Sequence, residues 1–109
     1  MTVKELSSLA EFSEILLPDP EKVIDGAYAG DLLSWVMGRA QAGNAWITIM
    51  SNVNVLAVAT LVDVSCVIFA EGVMPDAEII SVAKEKEINI LSTELPIYEA
   101  SLRLGGALQ

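Results

Sequence analysis

The longest uncharged stretch of the chain lies between Arg39 and Asp63. A helix of about 20 apolar residues is enough to cross a bilayer, so length alone does not separate a membrane span from a buried core. Ser51, Asn52 and Asn54 interrupt the stretch, and serine and asparagine favour helix starts, where their oxygens accept free backbone N–H groups. We therefore interpret the stretch as separate elements of a core and not as one membrane span.

The elements on either side of this break form a predicted strand–helix–strand unit. Residues 45–50 (AWITIM) are β-branched and uncharged on both faces, which is typical of a strand inside a parallel sheet. Residues 53–63 predict a helix that ends near Asp63, and residues 64–70 predict the next strand. Propensity also permits a strand at the start of 53–63. However, two parallel strands need a crossover of about a dozen residues, which a helix supplies.

The same alternation continues toward the carboxyl terminus. Residues 76–87 predict a surface helix, residues 88–92 a short strand, and residues 97–104 a further helix closed by Gly105 and Gly106. The apolar face of the first of these helices consists of Ile79, Ile80 and Ala83. Three strand-to-helix units in succession indicate an α/β protein with a parallel sheet.

The amino-terminal third adds a helix, a strand and another strand–helix unit. Thr2 and Glu5 have the spacing of a capping box, so residues 2–12 predict a helix. Residues 14–18 predict a short strand stopped by its final proline, and residues 22–30 a second strand. Asp31 is placed to cap a helix over residues 32–40. Right-handed crossovers then give a single-domain three-layer α/β sandwich over residues 1–109, mainly parallel, with helices on both sheet faces.

Composition narrows the function classes. The 109 residues suit one domain, and fifteen acidic residues against six basic ones give a net charge of −9, which repels nucleic acid and anionic membranes. Histidine is absent, which removes the commonest general base and transition-metal ligand. We therefore expect neither an enzyme nor a resident metal; the sequence identifies no cofactor.

The remaining compositional signals concern the compartment. The amino terminus carries charges and no apolar run with a cleavage site, so no signal peptide is expected. The single cysteine, Cys66, excludes an internal disulfide, and its apolar neighbours predict a buried, inert thiol. Together these features favour a cytoplasmic protein.

Residues 23–37, 45–61, 67–95 and 98–104 resemble the DRTGG domain family in residue types, order and spacing. This resemblance implies the fold of the amino-terminal domain of HPr kinase/phosphorylase. It also implies a small, often dimeric module of the kind that occurs in the regulatory middle segment of large phosphotransacetylases and beside nucleotide-sensing CBS domains. No chemistry is established for such modules. The chain contains no G-x-x-x-x-G-K-[ST] phosphate loop, so a kinase activity is not expected.

The chain departs from the motifs that give the family its name. Ser51-Asn52 stands where the resemblance places the Asp-Arg pair, and Ala70-Glu71-Gly72 where it places Thr-Gly-Gly, so only Gly72 is retained. If the arginine binds an anion in relatives, Asn52 removes the charge that would hold it. A phosphate or nucleotide site is therefore not carried over to this chain.

Any ligand site is expected at the carboxyl ends of the strands, near a topological switch point. The candidate ligand-binding residues at that edge are Tyr28, Gly30, Asp31, Ser51, Asn52, Glu71, Gly72, Ser92, Thr93 and Glu94. Helix amino termini there favour an anion, whereas the three acidic residues favour a cation or an amine, including Mg²⁺ or Ca²⁺ if they converge. The alternative is purely structural, with Asp31, Ser51 and Thr93 as helix caps and the glutamates solvated.

The predicted helix at 53–63 is apolar almost all round, and a small domain seldom hides both faces of a helix. We therefore expect a homodimer in which Val55, Val58, Ala59 or their neighbours pack against a second copy. Trp35 and Trp46 are expected in the core, with an interface as the alternative.

Three function classes follow. The first is a regulatory or ligand-sensing module that acts through a small molecule or a protein partner. The second is a homodimerising structural adaptor. The third, least favoured, is an acid–base enzyme using Asp31, Glu71 or Glu94, which would need a carboxyl with a raised pKa in an apolar setting.

Overall fold

The computed structural model describes residues 1–109, which form one five-stranded sheet with helices on both faces. The helices are α1 (Val3–Ser7), α2 (Leu33–Arg39), α3 (Val53–Val62), α4 (Ala77–Glu85) and α5 (Ile97–Ala107). The strands are β1 (Ser13–Leu16), β2 (Gly26–Ala29), β3 (Asn44–Thr48), β4 (Cys66–Phe69) and β5 (Ile90–Ser92). Their order in the sheet is β1-β5-β4-β3-β2; β2 to β5 are parallel, and β1 is antiparallel to β5. The predicted mainly parallel α/β architecture is confirmed.

Side chains that alternate along the central strands separate two apolar cores. Trp46, Val67 and Phe69 belong to the core that the sheet shares with α2, α3 and α4. Their neighbours Ile47 and Ile68 belong to the second core, on the side of α1 and α5. Burial on both faces explains why β3 and β4 are apolar without alternation, as in other parallel sheets.

Local side-chain contacts fix most of the helix starts. Thr2 and Glu5 form the predicted capping box, with the Thr2 N–H donating to Glu5 Oε1 at 2.8 Å. The Asn52 side chain caps α3, which ends at Asp63 in the left-handed conformation at φ 65°. Asp76 caps α4 by accepting from the Ile79 N–H at 2.9 Å. The break predicted within the long uncharged stretch is confirmed.

Three element boundaries differ from the sequence prediction. α1 ends at Ser7 and not near residue 12, because the hydroxyls of Ser7 and Ser8 donate to the carbonyls of Lys4 and Glu5 and compete with continued helix. β2 begins only at Gly26, upstream of which Val23 makes a single bridge to Thr2.

The third difference lies at the carboxyl terminus. α5 continues through Gly105 and Gly106 to Ala107, so the two glycines do not close it. No side-chain atom lies within contact distance of where a Cβ would be on either glycine.

One prediction about packing is wrong: Trp35 does not lie in the core. Of the α3 residues expected at a dimer interface, Val55, Val58 and Ala59 are buried in the first core of the single chain, whereas their neighbours Val53 and Leu61 are 39% and 71% exposed. Trp35 is 52% exposed and stacks under Arg39, whose guanidinium carbon lies 3.7 Å from the ring centroid. Trp46 is fully buried, as predicted. No helix of the protein is both long and apolar enough to cross a membrane.

Candidate functional site

The connections that follow β4 and β5 leave the sheet toward opposite faces, which places the topological switch point between these two strands. The connection after β4 leads to α4 in the first core, whereas the connection after β5 leads to α5 in the second core. Loops that leave neighbouring parallel strands toward opposite faces open a crevice at their carboxyl ends, where α/β proteins bind ligands. Four of the predicted site residues lie in these two loops: Glu71, Gly72, Thr93 and Glu94.

Backbone hydrogen bonds join these two loops directly. The Gly72 N–H donates to the Thr93 carbonyl at 3.0 Å, and the Glu71 N–H donates to the Leu95 carbonyl at 2.9 Å. The Thr93 side chain, which is buried, accepts from the Leu95 N–H at 3.1 Å. Thr93 therefore stabilises the turn after β5, and it does not cap α5 as the structural alternative supposed.

The carboxylate of Glu71 lies at the amino terminus of α5. Its Oε2 accepts the backbone N–H of Ile97 at 3.1 Å, whereas the residue at the cap position, Pro96, provides no side-chain acceptor. Glu71 adopts a left-handed conformation at φ 60°, followed by Gly72 at φ 74°. The positive end of the α5 dipole, where an external anion would bind, is thus already served by a carboxylate of the protein.

Gly72 lies directly beneath the Glu94 side chain. A Cβ on Gly72 would lie 2.7 Å from Glu94 Oε2, closer than real Cβ contacts allow. Glycine is needed here both for the positive φ and for this close approach. The absence of a side chain at Gly72 therefore leaves room for the Glu94 carboxylate at the switch point.

Tyr28, Gly30 and Asp31 form a separate group at the ends of β2 and β3. Asp31 does not cap α2, which has no side-chain cap. Its Oδ1 instead accepts from Thr48 Oγ1 at 2.7 Å and from the Ile49 N–H at 2.9 Å, which ties the β2 loop to β3. The Gly30 carbonyl accepts from Trp46 Nε1 at 2.9 Å, and the Tyr28 ring packs close to Gly30. The role of Asp31 as a cap is therefore a wrong prediction.

The remaining predicted residues do not join either group through a side-chain hydrogen bond. Asn52 is committed to the cap of α3, and Ser51 is exposed and does not cap a helix. Asp31, Glu71 and Glu94 do not converge, since no group of three acidic or cysteine side chains is arranged to hold a metal ion. The Mg²⁺ or Ca²⁺ alternative therefore has no structural support.

A cavity of about 180 Å³ opens beside the switch point, where the carboxyl end of β5 meets the start of β1. It is lined by Ala10, Glu11, Ser13, Ser92, Thr93, Glu94 and Leu95. Sequence reasoning found Ser92, Thr93 and Glu94 but missed Glu11 and Ser13. The pairing of Ser13 with Ser92 depends on β1 joining the sheet antiparallel to β5, which no local pattern in the sequence indicates.

Glu11 is the most constrained carboxylate of this cavity. Its side chain is 37% exposed, and its Oε1 lies 3.1 Å from Arg103 Nε in an ion pair. Contact with its own backbone N–H, together with the Arg103 charge, lowers the pKa of the Glu11 carboxyl, which is ionised at neutral pH.

A larger and more open depression of about 500 Å³ lies at the opposite end of the strands, where Gly26 and Asn44 begin β2 and β3. It includes Tyr28 but no other predicted site residue. It does not adjoin the switch point.

Comparison with known proteins bears on the fold. No family model matches the sequence, and no curated protein matches it. The structure is similar to the CBS and DRTGG domains of the regulatory region of Clostridium perfringens pyrophosphatase, solved with its activator diadenosine tetraphosphate. The TM-score is 0.67 at 20% identity, over 92% of this chain and 46% of that chain.

The fold is DRTGG-like. The architecture implied by the sequence resemblance is confirmed at this level, although the chain spans less than half of the pyrophosphatase region it matches. A DRTGG-like fold at this identity identifies no ligand, because one fold serves many functions.

Proposed function

We propose that the protein is a regulatory, ligand-sensing module without catalytic activity of its own, which binds a small molecule at the carboxyl edge of β5 and signals to a protein partner. The observation that carries this proposal is the polar cavity beside the switch point, with Ser92, Thr93 and Glu94 in its wall. A DRTGG-like fold in a regulatory region that binds an activator supports the same class of function.

The arrangement of hydrogen bonds supplies a route from the cavity to the rest of the domain. Thr93 and Leu95 line the cavity and also accept the Gly72 and Glu71 N–H groups through their carbonyls. A ligand that moves the 93–95 loop therefore moves the loop after β4 and, through the Glu71 carboxylate, the start of α5. A change of this kind shifts the population of states that a partner recognises.

A thermal-shift screen of the purified protein against nucleotides, acyl-CoA compounds, organic acids, amines and divalent cations tests the proposal. A ligand of the native state raises the melting temperature by mass action, and the rise increases with ligand concentration. We expect the Glu94→Gln variant to lose the response. Glu85→Gln on α4 is the matched control, because that carboxylate is exposed and does not line the cavity. A flat screen in the wild-type protein would contradict ligand sensing.

A homodimerising adaptor is the second candidate, and one observation favours it. Three large apolar side chains on and just before α2 are between 46% and 59% exposed: Leu32, Trp35 and Met37. Exposure of this apolar surface to water is unfavourable, and burial in a protein interface would remove it. Light scattering during size exclusion gives the mass of the wild type and of Trp35→Ser. A dimer that Trp35→Ser converts to a monomer supports the adaptor. A wild-type monomer at all concentrations contradicts it.

The cytoplasmic location and the absence of nucleic-acid partners remain part of this proposal. They are supported by a single, fully buried thiol and by the net charge of −9.

A further inference from the structure

Four large apolar side chains are exposed at the carboxyl edge of the sheet, next to the ends of three neighbouring strands. Leu32 lies between β2 and α2, Ile49 follows β3, Val53 begins α3, and Met74 lies between β4 and α4. Each is between 39% and 59% exposed. We call these four residues the edge row.

Hydrogen bonds between the loops place the members of the edge row beside one another. The Ile49 N–H donates to Asp31 Oδ1 at 2.9 Å, which holds the residue before Leu32 against Ile49. The Ala70 N–H donates to the Thr48 carbonyl at 3.0 Å, so the loop after β4 starts next to the loop after β3. The helices α2, α3 and α4 pack on the same sheet face, with α3 in the middle. The edge row therefore crosses the starts of three adjacent helices, and contiguous apolar surface of this kind marks a site of interaction.

The loops that carry the edge row are acidic. The segments that join β2, β3, β4 and β5 to the helices after them contain no lysine or arginine and four carboxylates: Asp31, Glu71, Asp76 and Glu94. Within the chain, Asp31 accepts through Oδ1, Glu71 through Oε2 and Asp76 through Oδ1. The second oxygen of each of these carboxylates is free for an external donor, which favours a basic partner.

The same charge pattern disfavours three other occupants of the edge row. Nucleic acid and an anionic membrane carry the same sign of charge as these loops. A second copy related by a two-fold axis would bring the four carboxylates of each chain together with no cation between them. The occupant must therefore combine basic groups with apolar ones.

We propose that the edge row binds a basic amphipathic helix of a partner protein. The apolar side of that helix lies on the edge row, and its lysine or arginine side chains face the carboxylates of the loops. Packed helices lie about 8–10 Å apart, so the edge row extends about 16–20 Å from α2 to α4. A helix of about 13 residues has this length. Burial of the apolar side chains supplies affinity, and the charges supply association rate and orientation.

This inference rests on the proposed function, because it adds the chemistry of the partner to which the module signals. The loop that carries Met74 is bonded to the 93–95 loop of the cavity through the Glu71 and Gly72 N–H groups. A ligand that moves the 93–95 loop therefore changes the position of Met74 in the edge row. The fit of the bound helix changes with it, which couples the two sites.

Three synthetic peptides of about 14 residues test the inference. The first is an amphipathic helix of leucine and lysine, the second has the same residues in scrambled order, and the third has glutamate in place of each lysine of the first. Each is titrated into the full ¹⁵N-labelled chain while backbone amide shifts are followed. We expect saturable shifts with the first peptide alone, at residues 31–33, 49–54 and 71–76.

Variants separate docking on the edge row from general attraction to an acidic protein. Met74→Lys places a cation in the edge row and should weaken binding of the leucine–lysine helix at least tenfold. Leu102→Lys is the matched control, because Leu102 is as exposed as Met74 but lies on α5, on the other face of the sheet. It makes the same change in net charge and should alter binding less than twofold. Ile49→Ala, which changes no charge, should weaken binding about fivefold through lost apolar contact.

Three contrary results would overturn the inference. Equal binding of the scrambled peptide, or equal binding to Met74→Lys and Leu102→Lys, would show non-specific attraction between opposite charges. Binding of the leucine–glutamate helix at the same residues would show that the partner is not basic. Shifts of the same residues that depend on protein concentration without any peptide would show that a second copy occupies the edge row.

The thermal-shift screen separates this inference from the proposed function. If the leucine–lysine helix does not bind while the screen finds a ligand whose effect is lost in Glu94→Gln, the helical partner is wrong and ligand sensing stands. If the helix binds as expected and the screen is flat, the docking surface stands and ligand sensing is wrong. Failure of both measurements would overturn both.

Discussion

The carboxylate of Glu71 accepts the backbone N–H of Ile97 at 3.1 Å, so a side chain from the loop after β4 caps the helix that follows β5. The two residues are 26 positions apart and meet only because their strands are neighbours. This contact joins the two sides of the switch point and neutralises the helix end that would otherwise attract an anion.

Replacing Glu71 by alanine should therefore destabilise the protein by about 1 kcal/mol, the usual cost of losing a helix cap. Urea unfolding followed by circular dichroism gives the change in the free energy of unfolding. Glu99→Ala is the matched control, because Glu99 lies in the first turn of α5, is exposed, and makes no side-chain hydrogen bond. Equal losses in the two variants would show that helix-dipole charge, and not the hydrogen bond, accounts for the effect.

Asp31 supports the other end of the sheet edge. Asp31→Ala should lower the free energy of unfolding by about 1–3 kcal/mol, because Thr48 Oγ1 and the Ile49 N–H lose a charged acceptor. Asp19→Ala is a suitable control, since the Asp19 carboxylate is exposed and makes no hydrogen bond. If Asp31→Ala lowers the free energy of unfolding no more than Asp19→Ala does, water replaces the Asp31 carboxylate as a hydrogen-bond acceptor.

Gly72 should tolerate no side chain. Gly72→Ala forces a Cβ into a left-handed conformation at φ 74° and toward Glu94 Oε2, at a cost of about 1–2 kcal/mol. Gly38→Ala should instead raise the free energy of unfolding. Gly38 lies inside α2 with open space around it, and alanine stabilises a helix relative to glycine by about 0.5–1 kcal/mol. Combining Gly72→Ala with Glu94→Ala should restore part of the loss by removing the close contact. No restoration would show that the backbone conformation alone carries the cost.

Much of the fold was predictable because its determinants are local. Short segments of sequence show the caps at Thr2 and Asn52, the helix start at Asp76 and the apolar strands around Trp46 and Ile68, and the structure has them where they were expected. The length of α1 was not predictable from periodicity, because the apolar spacing continues past Ser7 while the serine hydroxyls end the helix.

The site was predicted less completely, because it depends on which strands are neighbours. Glu71 and Ile97, like Ser13 and Ser92, are brought together by strand order, which local pattern does not specify. Asp31 has the position of a cap in sequence, yet the nearer donors in the folded chain are on β3. The buried faces of α3 are explained in the same way, since α2 and α4 flank it and cover Val55 and Val58.

Cys66 provides a test of the core. Burial raises the pKa of its thiol to about 12, from an ordinary value of 9.0, with a small opposing effect of Lys22. The native protein should not react with iodoacetamide at pH 8, whereas the urea-unfolded chain should react readily, because only the thiolate is nucleophilic. Fast reaction of the native protein would contradict a buried thiol.

The same shift predicts how stability depends on pH. The thiol keeps its proton to a higher pH in the folded chain than in the unfolded chain. Its contribution to the free energy of unfolding is therefore complete below about pH 9 and is lost as pH rises toward 12. The free energy of unfolding should fall by about 1.4 kcal/mol per pH unit in this window from Cys66 alone. Cys66→Ala should remove this part of the pH dependence. If the free energy of unfolding of the variant falls with pH at the same rate as that of the wild type, other groups cause the pH dependence.

Amide hydrogen exchange shows whether a ligand acts on the switch point. The full chain is compared with and without the compound that gives the largest concentration-dependent rise in melting temperature. We expect slower exchange at residues 71–73 and 93–97, where the two loops bond to each other and to the start of α5. Protection confined to other surfaces, such as the exposed face of α2, or no change at these loops, would contradict it.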